Sequence, residues 1–262
     1  MLLDIPHGIA GLLVGVVVGI TGVGGGSLMT PILVMMFGVV PQTAVGTDLL
    51  VASITKSAGT GVHHRNGSVD WEIVRRLAMG SLPAAALTLL WLNLAHAGRV
   101  QDGVIIRGVA IALIVTSLGM LFKEKLHGIG KNLRVTDTTR FKRWQAPLTV
   151  LAGVIMGVLV TLTSIGAGAL GTVMLVYLYP LRLNASRLVG TDLAHAIPLA
   201  LIAGLGHLSL GNVDGALMLN LLLGSIPGVL IGATVCTRAP IHLIRHAISG
   251  VLLIVAWKML TH

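Results

Sequence analysis

Apolar segments of about 20 residues recur along this sequence, and they constrain its fold more than any other feature. A segment of that length crosses a hydrocarbon core of about 30 Å as a helix. Only 10% of the 262 residues are charged, whereas a soluble domain carries about 25% charged residues. The sequence therefore predicts an all-α polytopic protein of the cell inner (plasma) membrane.

The sequence also contains an internal repeat. TGVGGGSLMT at 21–30 matches TSIGAGALGT at 163–172 at an offset of 142. Further along, VGTD at 45–48 matches VGTD at 189–192 at an offset of 144. Because biased composition alone explains neither the sustained register nor the paired aspartates, we interpret the chain as a duplication of one unit.

We predict two transmembrane repeats of about five helical segments each, at 5–122 and 147–260, joined by a basic linker at 123–146. Seven Lys and Arg side chains lie in 123–143 against two acidic ones, and the positive-inside rule places such a loop in the cytoplasm. The net charge of +9 is accompanied by no nucleic-acid recognition motif, so we expect no nucleic-acid partner.

The charges of the other loops orient the two repeats in opposite senses. Basic residues flank the loop at 64–71 in the first repeat, whereas its equivalent in the second repeat has no Lys or Arg. Conversely, the turn at 41–43 is uncharged and its equivalent carries Arg182 and Arg187. We therefore expect an inverted-topology repeat with both termini outside, a plan found in secondary transporters.

Four glycines at positions 22–26 interrupt an apolar region, although each costs a helix interior roughly 1 kcal/mol. The pieces on either side reach only about 20 Å, so we predict a Gly-rich helical hairpin that turns back, or two short tilted spans. The exposed N–H groups of a helix that starts at such a break bind anions. The predicted substrate-binding residues around the two breaks are Gly24, Gly25, Gly26, Ser27, Thr30, Ser164, Gly166, Gly168 and Thr172.

Lys56 lies near the middle of the helix predicted over 44–63. An ionisable group inside a membrane is a candidate functional group, and this ammonium suits an anion as a counter-charge. It is also a candidate proton carrier, because desolvation favours the neutral amine. The structural alternative is that Lys56 snorkels along neighbouring helices.

Five further polar residues are candidates for coupling or gating. Asp48 and Asp192 follow threonines that we predict to start their helices, so they either cap those helices or take part in proton coupling. His195, one turn beyond Asp192, is a pH-sensitive neighbour. His63 and His207 are predicted at helix ends near opposite surfaces, where they would serve a gate or an interface.

The duplicated glycine-rich turn, the Pro-containing helix after it and the VGTD turn resemble the sulfite exporter TauE/SafE family, also called organosulfonate uptake permeases. GVGGGSLMTPILVMMFGVVPQTAVGTDLL is the strongest part of a resemblance that covers about 8–260. The resemblance implies transport of small sulfur-containing oxyanions, such as sulfite or organosulfonates, coupled to an ion gradient.

We therefore expect a secondary transporter, acting as an exporter, that binds a small sulfur-containing anion near the midplane between the two breaks. The alternative is a divalent-metal (Ni/Co-type) exporter, suggested by ten histidines but weakened by the scarcity of acidic residues. No catalytic motif is present, so we expect neither an enzyme, nor a cofactor, nor a metal site. The expected partners are the lipid bilayer and the small anionic substrate, and a second copy of the chain, forming a homodimer, is a further candidate.

Overall fold

The computed structural model describes residues 4–21, 26–65, 68–96, 138–165 and 168–235, with isolated helical positions between 107 and 118 and between 250 and 257. These continuous ranges hold eight helices and no strand. They are α1 (Ile5–Thr21), α2 (Gly26–Met36), α3 (Pro41–Arg65), α4 (Trp71–His96), α5 (Thr138–Thr163), α6 (Ala169–Leu178), α7 (Ala185–Ser209) and α8 (Gly215–Val235). The all-α fold is confirmed for this part of the chain.

Four of these helices contain segments that are long and apolar enough to cross a membrane. They are Trp71–Leu94, Lys142–Thr163, Ser186–Ser209 and Gly215–Gly232, and α1 adds the shorter apolar segment Ile5–Val18. The multi-pass architecture is thus confirmed. The segments predicted over 103–122 and 242–260 lie outside the continuously described ranges.

The boundary of the predicted linker differs from the structure. We predicted a basic loop over 123–146, but α5 already begins at Thr138. Its first turns carry Lys142 and Arg143, whose side chains are exposed. A helix end that projects beyond apolar surroundings accommodates such charges, so the basic pattern did not mark where the helix starts.

The first Gly-rich break separates two helices that form a hairpin. α1 ends at Thr21 and α2 begins at Gly26. The chain then returns to its starting end, because the ring of Phe37 stacks on His7 with 4.3 Å between the ring centroids. With 11 residues, α2 is only about 16 Å long, which is too short to cross a bilayer.

The second break produces a matching hairpin of α5 and α6. The Gln145 side-chain amide donates to the carbonyl of Leu178, and the hydroxyls of Thr149 and Tyr179 lie 2.8 Å apart. These contacts join the C-terminal end of α6 to the N-terminal part of α5. Both breaks are therefore hairpin tips, as the glycine pattern predicted.

The two halves pack through equivalent close contacts. A Cβ atom added to Gly11 would meet the backbone of Leu221, and one added to Gly153 would meet the backbone of Leu77. Gly153 lies 142 residues after Gly11, and Leu221 lies 144 residues after Leu77, which are the offsets of the sequence repeat. Small residues let membrane helices approach backbone to backbone, here α1 to α8 and α4 to α5.

The central pair of equivalent helices, α3 and α7, runs antiparallel. Gly46, near the start of α3, packs against Asn212 just after α7, and Leu50 packs against Gly204. Equivalent helices that run in opposite directions are what an inverted repeat requires. The orientation of the repeats in the membrane, and their assignment to 5–122 and 147–260, remain predictions.

Candidate functional site

Asp48 joins the two hairpins at the centre of the molecule. Its side chain is buried, and the same carboxylate oxygen, Oδ2, accepts 2.8 Å hydrogen bonds from the hydroxyls of Thr30 and Ser164. Thr30 lies in α2, near the tip of the first hairpin, and Ser164 lies at the tip of the second. The two breaks therefore converge on one buried carboxylate of α3.

The backbone at the second tip turns the Ser164 hydroxyl toward α3. Ser164 has a φ of 57°, in the left-handed region, and its N–H still donates to the carbonyl of Val160 at 2.8 Å. Gly168, which precedes α6, has a φ of 139°, a backbone conformation that residues other than glycine rarely adopt. These two residues end one helix and start the next within a few positions.

Asp192, the equivalent of Asp48, lies against α6. Its side chain is buried, and a Cβ atom added to Gly171 would collide with its Oδ1. The absence of a side chain at Gly171 therefore leaves the space for this carboxylate. Thr172, the next residue of α6, is also buried.

Lys56 connects the two carboxylates electrostatically. Its side chain is only 5% exposed, and its ammonium interacts with the charges of both Asp192 and Asp48. Among the residues that the structure describes, no other Lys or Arg is buried. The equivalent position in the second repeat is Ala200, so the repeat supplies two buried acids and one buried base.

His195 lies next to this cluster and contacts α4. Its Nε2 is 2.8 Å from the hydroxyl of Ser81, while its Nδ1 is buried without a hydrogen-bond partner. The imidazole also interacts electrostatically with Lys56. His195 therefore lies close to the charged residues of the cluster, as predicted.

His207 lies at the end of α7 and contacts α5. It is buried, and its Nε2–H donates to the carbonyl of Thr161 at 2.8 Å. The Asn212 amide lies 3.5 Å from its Nδ1. These contacts tie the end of α7 to α5. His207 lies in the last turn of α7, the helix end at which we predicted it, and its role as a gate or interface residue stays a prediction.

The interpretation of Asp48 and Asp192 as helix caps is wrong. α3 begins at Pro41, and α7 begins after Asn184, whose side chain accepts a hydrogen bond from the N–H of Arg187. Both aspartates therefore lie about two turns inside their helices. The helices start earlier than the apolar pattern indicated, because their first turns are polar.

The threonines of the two VGTD motifs do act at helix starts, but in the opposite repeat. The hydroxyl of Thr47 accepts from the N–H of Asp214 at 3.1 Å, and the hydroxyl of Thr191 accepts from the N–H of Asp70 at 3.0 Å. Asp70 and Asp214 immediately precede α4 and α8. This exchanged pair of contacts again follows the sequence repeat.

A crevice opens beside Asp48. It lies between α1, α2, α3 and α8, and its lining includes Val51 and Ser225. By the repeat offset of 144, Val51 corresponds to His195 and Ser225 corresponds to Ser81, and these two equivalents are hydrogen-bonded to each other. The two repeats therefore carry different side chains at this point, Val51 in one and His195 in the other.

One end of the molecule is closed by an ion-pair cluster. Arg182, in the turn between α6 and α7, donates to both carboxylate oxygens of Asp70 at 2.7 and 2.9 Å and to Glu72 at 2.7 Å. Arg76 pairs with Glu72. The equivalent of Arg182 is Gly38, which is exposed with a φ of 65°. Burial lowers the pKa of Arg182, but the hydrogen bonds and charges of Glu72 and Asp70 together outweigh this effect, so the pKa is raised overall.

Several predicted site residues fall outside what the structure describes. Gly24, Gly25 and Gly166 lie outside the described residues, as do the side chains of Ser27 and His63. Gly26 is the first residue of α2. The residues that the structure brings together are Thr30, Asp48, Lys56, Ser164 and Asp192.

Three contributors were missed by the sequence analysis. Ser81 lies within GSLP, which recurs as GSIP at 224–227, so the repeat did contain a signal. Gly171 has no such signal, because its role depends on the approach of another helix. Arg182 was noted only for its charge, and its partners Asp70 and Glu72 are more than 100 residues away.

The fold and the site together define a class of protein. Long apolar helices surround two broken hairpins whose tips meet at buried charged residues, an arrangement that membrane transporters use for binding near the midplane. The chain also matches the family described as sulfite exporter TauE/SafE over residues 8–259.

Individual relatives agree with this class. The chain is 38% identical over 258 residues to the probable membrane transporter protein YjnA of Bacillus subtilis (strain 168), covering 95% of this chain and 97% of that protein. It is 28% identical over 242 residues to YdhB of the same organism, also a probable membrane transporter protein, covering 90% and 91%. No solved structure matches the chain. The chain belongs to the TauE/SafE family and is a membrane transporter, as its resemblance to that family predicted.

Proposed function

We propose that the protein is a secondary transporter of a small sulfur-containing oxyanion, such as sulfite or an organosulfonate, bound between the two hairpin tips. We further propose that it resides in the inner membrane with the basic segment 123–146 on the cytoplasmic side, and that it exports its substrate. Lys56 is the observation that carries the substrate class. An ionisable group inside a membrane is a candidate functional group, and a buried ammonium suits an anion as its counter-charge.

The surroundings of Lys56 supply the other groups that bind an oxyanion. The hydroxyls of Thr30 and Ser164 lie at the two tips, and each can turn from Asp48 to a substrate oxygen. α2 and α6 begin at the same tips, and helix N-termini favour negative charge. A small anion held there replaces its hydration shell with donors from both halves.

The divalent-metal alternative has less support. Among the described residues, no group of three or more His, Cys, Asp or Glu side chains is arranged to hold a metal ion. The two buried acids of the central cluster, Asp48 and Asp192, both interact with Lys56, whose charge opposes a cation. We therefore favour the anion.

The experiment is a flux assay in proteoliposomes with sulfite, sulfoacetate, thiosulfate, sulfate and nickel as separate substrates. We expect uptake of at least one sulfur-containing anion by the wild type and little uptake of nickel. Lys56→Ala removes the counter-charge and should abolish the flux, and Lys56→Arg should restore little because a planar guanidinium is not a compact ammonium.

Lys142→Ala is the matched control, since Lys142 is exposed at the start of α5, and its flux should equal that of the wild type. Insertion and folding of each variant are checked by size-exclusion chromatography. Nickel as the transported species, or wild-type anion flux in Lys56→Ala, would contradict the proposal.

A further inference from the structure

The buried cluster of Asp48, Lys56 and Asp192 has a charge imbalance. Two carboxylates and one ammonium, all buried, carry one net negative charge when all three are ionised. Uncompensated charge in an apolar interior is costly. An anionic substrate would add a second negative charge to the same place, so the fully ionised cluster opposes the binding that the proposed function requires.

We propose that the pair Asp48 and Asp192 is the proton-binding site that couples anion movement to the proton gradient. This inference rests on the proposed function and names its coupling ion. With one proton on the pair, the empty cluster is neutral. A second proton leaves the positive charge of Lys56 uncompensated, and a monovalent anion then restores neutrality.

The charge balance fixes the stoichiometry of the cycle. The transporter moves between a neutral empty form with one bound proton and a neutral loaded form with two protons and the anion. One proton therefore accompanies each monovalent anion in the same direction. Acid outside favours uptake, and export proceeds when the outward anion gradient exceeds the proton gradient.

The groups around the pair favour a proton over a sodium ion. Asp48 already accepts two hydroxyl hydrogen bonds on Oδ2, and the ammonium of Lys56 interacts with both acids. A metal cation in the same place would be repelled by that ammonium. A proton adds to a carboxylate oxygen without needing a new set of oxygen ligands.

In the part of the chain that the structure describes, few other titratable groups face the pair. α7 contributes His195, whose Nε2 is 2.8 Å from Ser81 of α4. Among the described residues, the buried polar side chains of α1, α2, α5, α6 and α8 are uncharged. The remaining buried acid, Asp70, is paired with Arg182 at one end of the molecule, and His207 is bonded to Thr161.

The test uses proteoliposomes with methanesulfonate, which stays ionised at every working pH, and sulfite in parallel. An internal pH-sensitive dye follows protons. The wild type should accumulate anion several-fold when the interior is alkaline, and inward anion movement should acidify the interior. An imposed sodium gradient without a pH difference should drive no accumulation.

Asp48→Asn and Asp192→Asn each fix one acid in a neutral, similarly shaped form. Each single variant still has one ionisable acid beside Lys56, so the charge balance predicts that it keeps pH-driven accumulation. The double variant Asp48→Asn/Asp192→Asn has no acid left to bind a proton, and we expect it to lose this accumulation. Any anion that the double variant moves down its own gradient should enter without acidifying the interior. Asp214→Asn is the matched control, because Asp214 is exposed at the start of α8. Its pH-driven accumulation should remain.

The outcomes separate the two proposals. If the wild type moves neither anion, the proposed function fails and the coupling inference fails with it. If anions move but respond to sodium, or do not respond to pH, the coupling inference is overturned while the proposed function stands. Full pH-driven accumulation in the double variant would also overturn it. The wild-type measurements decide the coupling ion even where an Asn variant does not fold.

Discussion

At the scale of single residues, the ionisable groups were identifiable from the sequence, but their partners were not. Lys56, Asp48 and Asp192 were candidates because charge inside a membrane segment is costly. The structure places these residues in one cluster. Capping, one of the two interpretations of the aspartates, is wrong because the polar first turns of α3 and α7 lie before them and belong to the helices.

Gly171 provides the residue-scale prediction. A Cβ atom there would collide with the Asp192 carboxylate, so Gly171→Ala must move either α6 or this acid. Overpacking of this kind costs about 1–3 kcal/mol, and we expect a lower melting temperature together with at least about tenfold slower anion flux. The melting temperature is measured on purified protein, and the anion flux is measured in proteoliposomes.

Gly215→Ala is the control for this change, because an added Cβ at Gly215 has nothing within 4 Å. It should leave melting temperature and flux unchanged. If Gly171→Ala transports at the wild-type rate, the position of Asp192 against α6 is not needed for function.

At the scale of secondary-structure elements, the glycine pattern predicted both breaks because glycine disfavours helix wherever it occurs. The pattern does not specify which element the tips contact. Ser164 and Asp48 lie 116 residues apart in sequence, and only the antiparallel packing of α3 and α7 brings the second tip to α3. Local propensity therefore gave the hairpins, and tertiary packing gave the site.

The ion-pair cluster around Arg182 leads to the element-scale prediction. Arg182→Ala leaves the largely buried carboxylate of Asp70 without its two hydrogen bonds. We expect the turn at 179–184 and the start of α4 to open more often, with amide hydrogen exchange there roughly tenfold faster, as a loss of about 1–2 kcal/mol implies. Hydrogen-exchange mass spectrometry measures this.

Two comparisons make the result specific. Exchange at the start of α8 should not change, because Gly38 stands where Arg182 would be. Arg187→Ala, at an exposed position five residues further on, should exchange like the wild type. Equal exchange in Arg182→Ala and the wild type would show that the ion pairs do not hold this end closed.

At the scale of the whole molecule, the sequence repeat predicted which contacts are equivalent. The exchanged bonds of Thr47 to Asp214 and Thr191 to Asp70 follow the offset of 144 in the sequence. The differences between the halves were also present in the sequence, with Ala200 in place of Lys56 and Val51 in place of His195. Their consequence was not, since it depends on which side chains share one interior.

The last prediction concerns the orientation of the molecule in the membrane. Val40 and Leu181 have similar exposed fractions, 58% and 60%. Val40 lies just before the start of α3. Leu181 lies beside the ion-pair cluster, which follows the other end of α3. The 25 residues of this helix therefore separate the two positions by about 37 Å. Single cysteines at these positions, in a Cys236→Ser background, report on opposite ends of the protein.

We expect a membrane-impermeant maleimide to label Val40→Cys in intact cells and Leu181→Cys only after permeabilisation, since basic residues cluster at the Leu181 end and the positive-inside rule places that end in the cytoplasm. Cysteine-free protein is the blank, and denatured samples show that both cysteines can react. Labelling in the reverse order would contradict the cytoplasmic assignment alone. Labelling of both positions in intact cells would contradict the inverted repeat itself. The basic connections and the uncharged connections of the two repeats would then lie on the same side of the bilayer, whereas an inverted repeat places them on opposite sides.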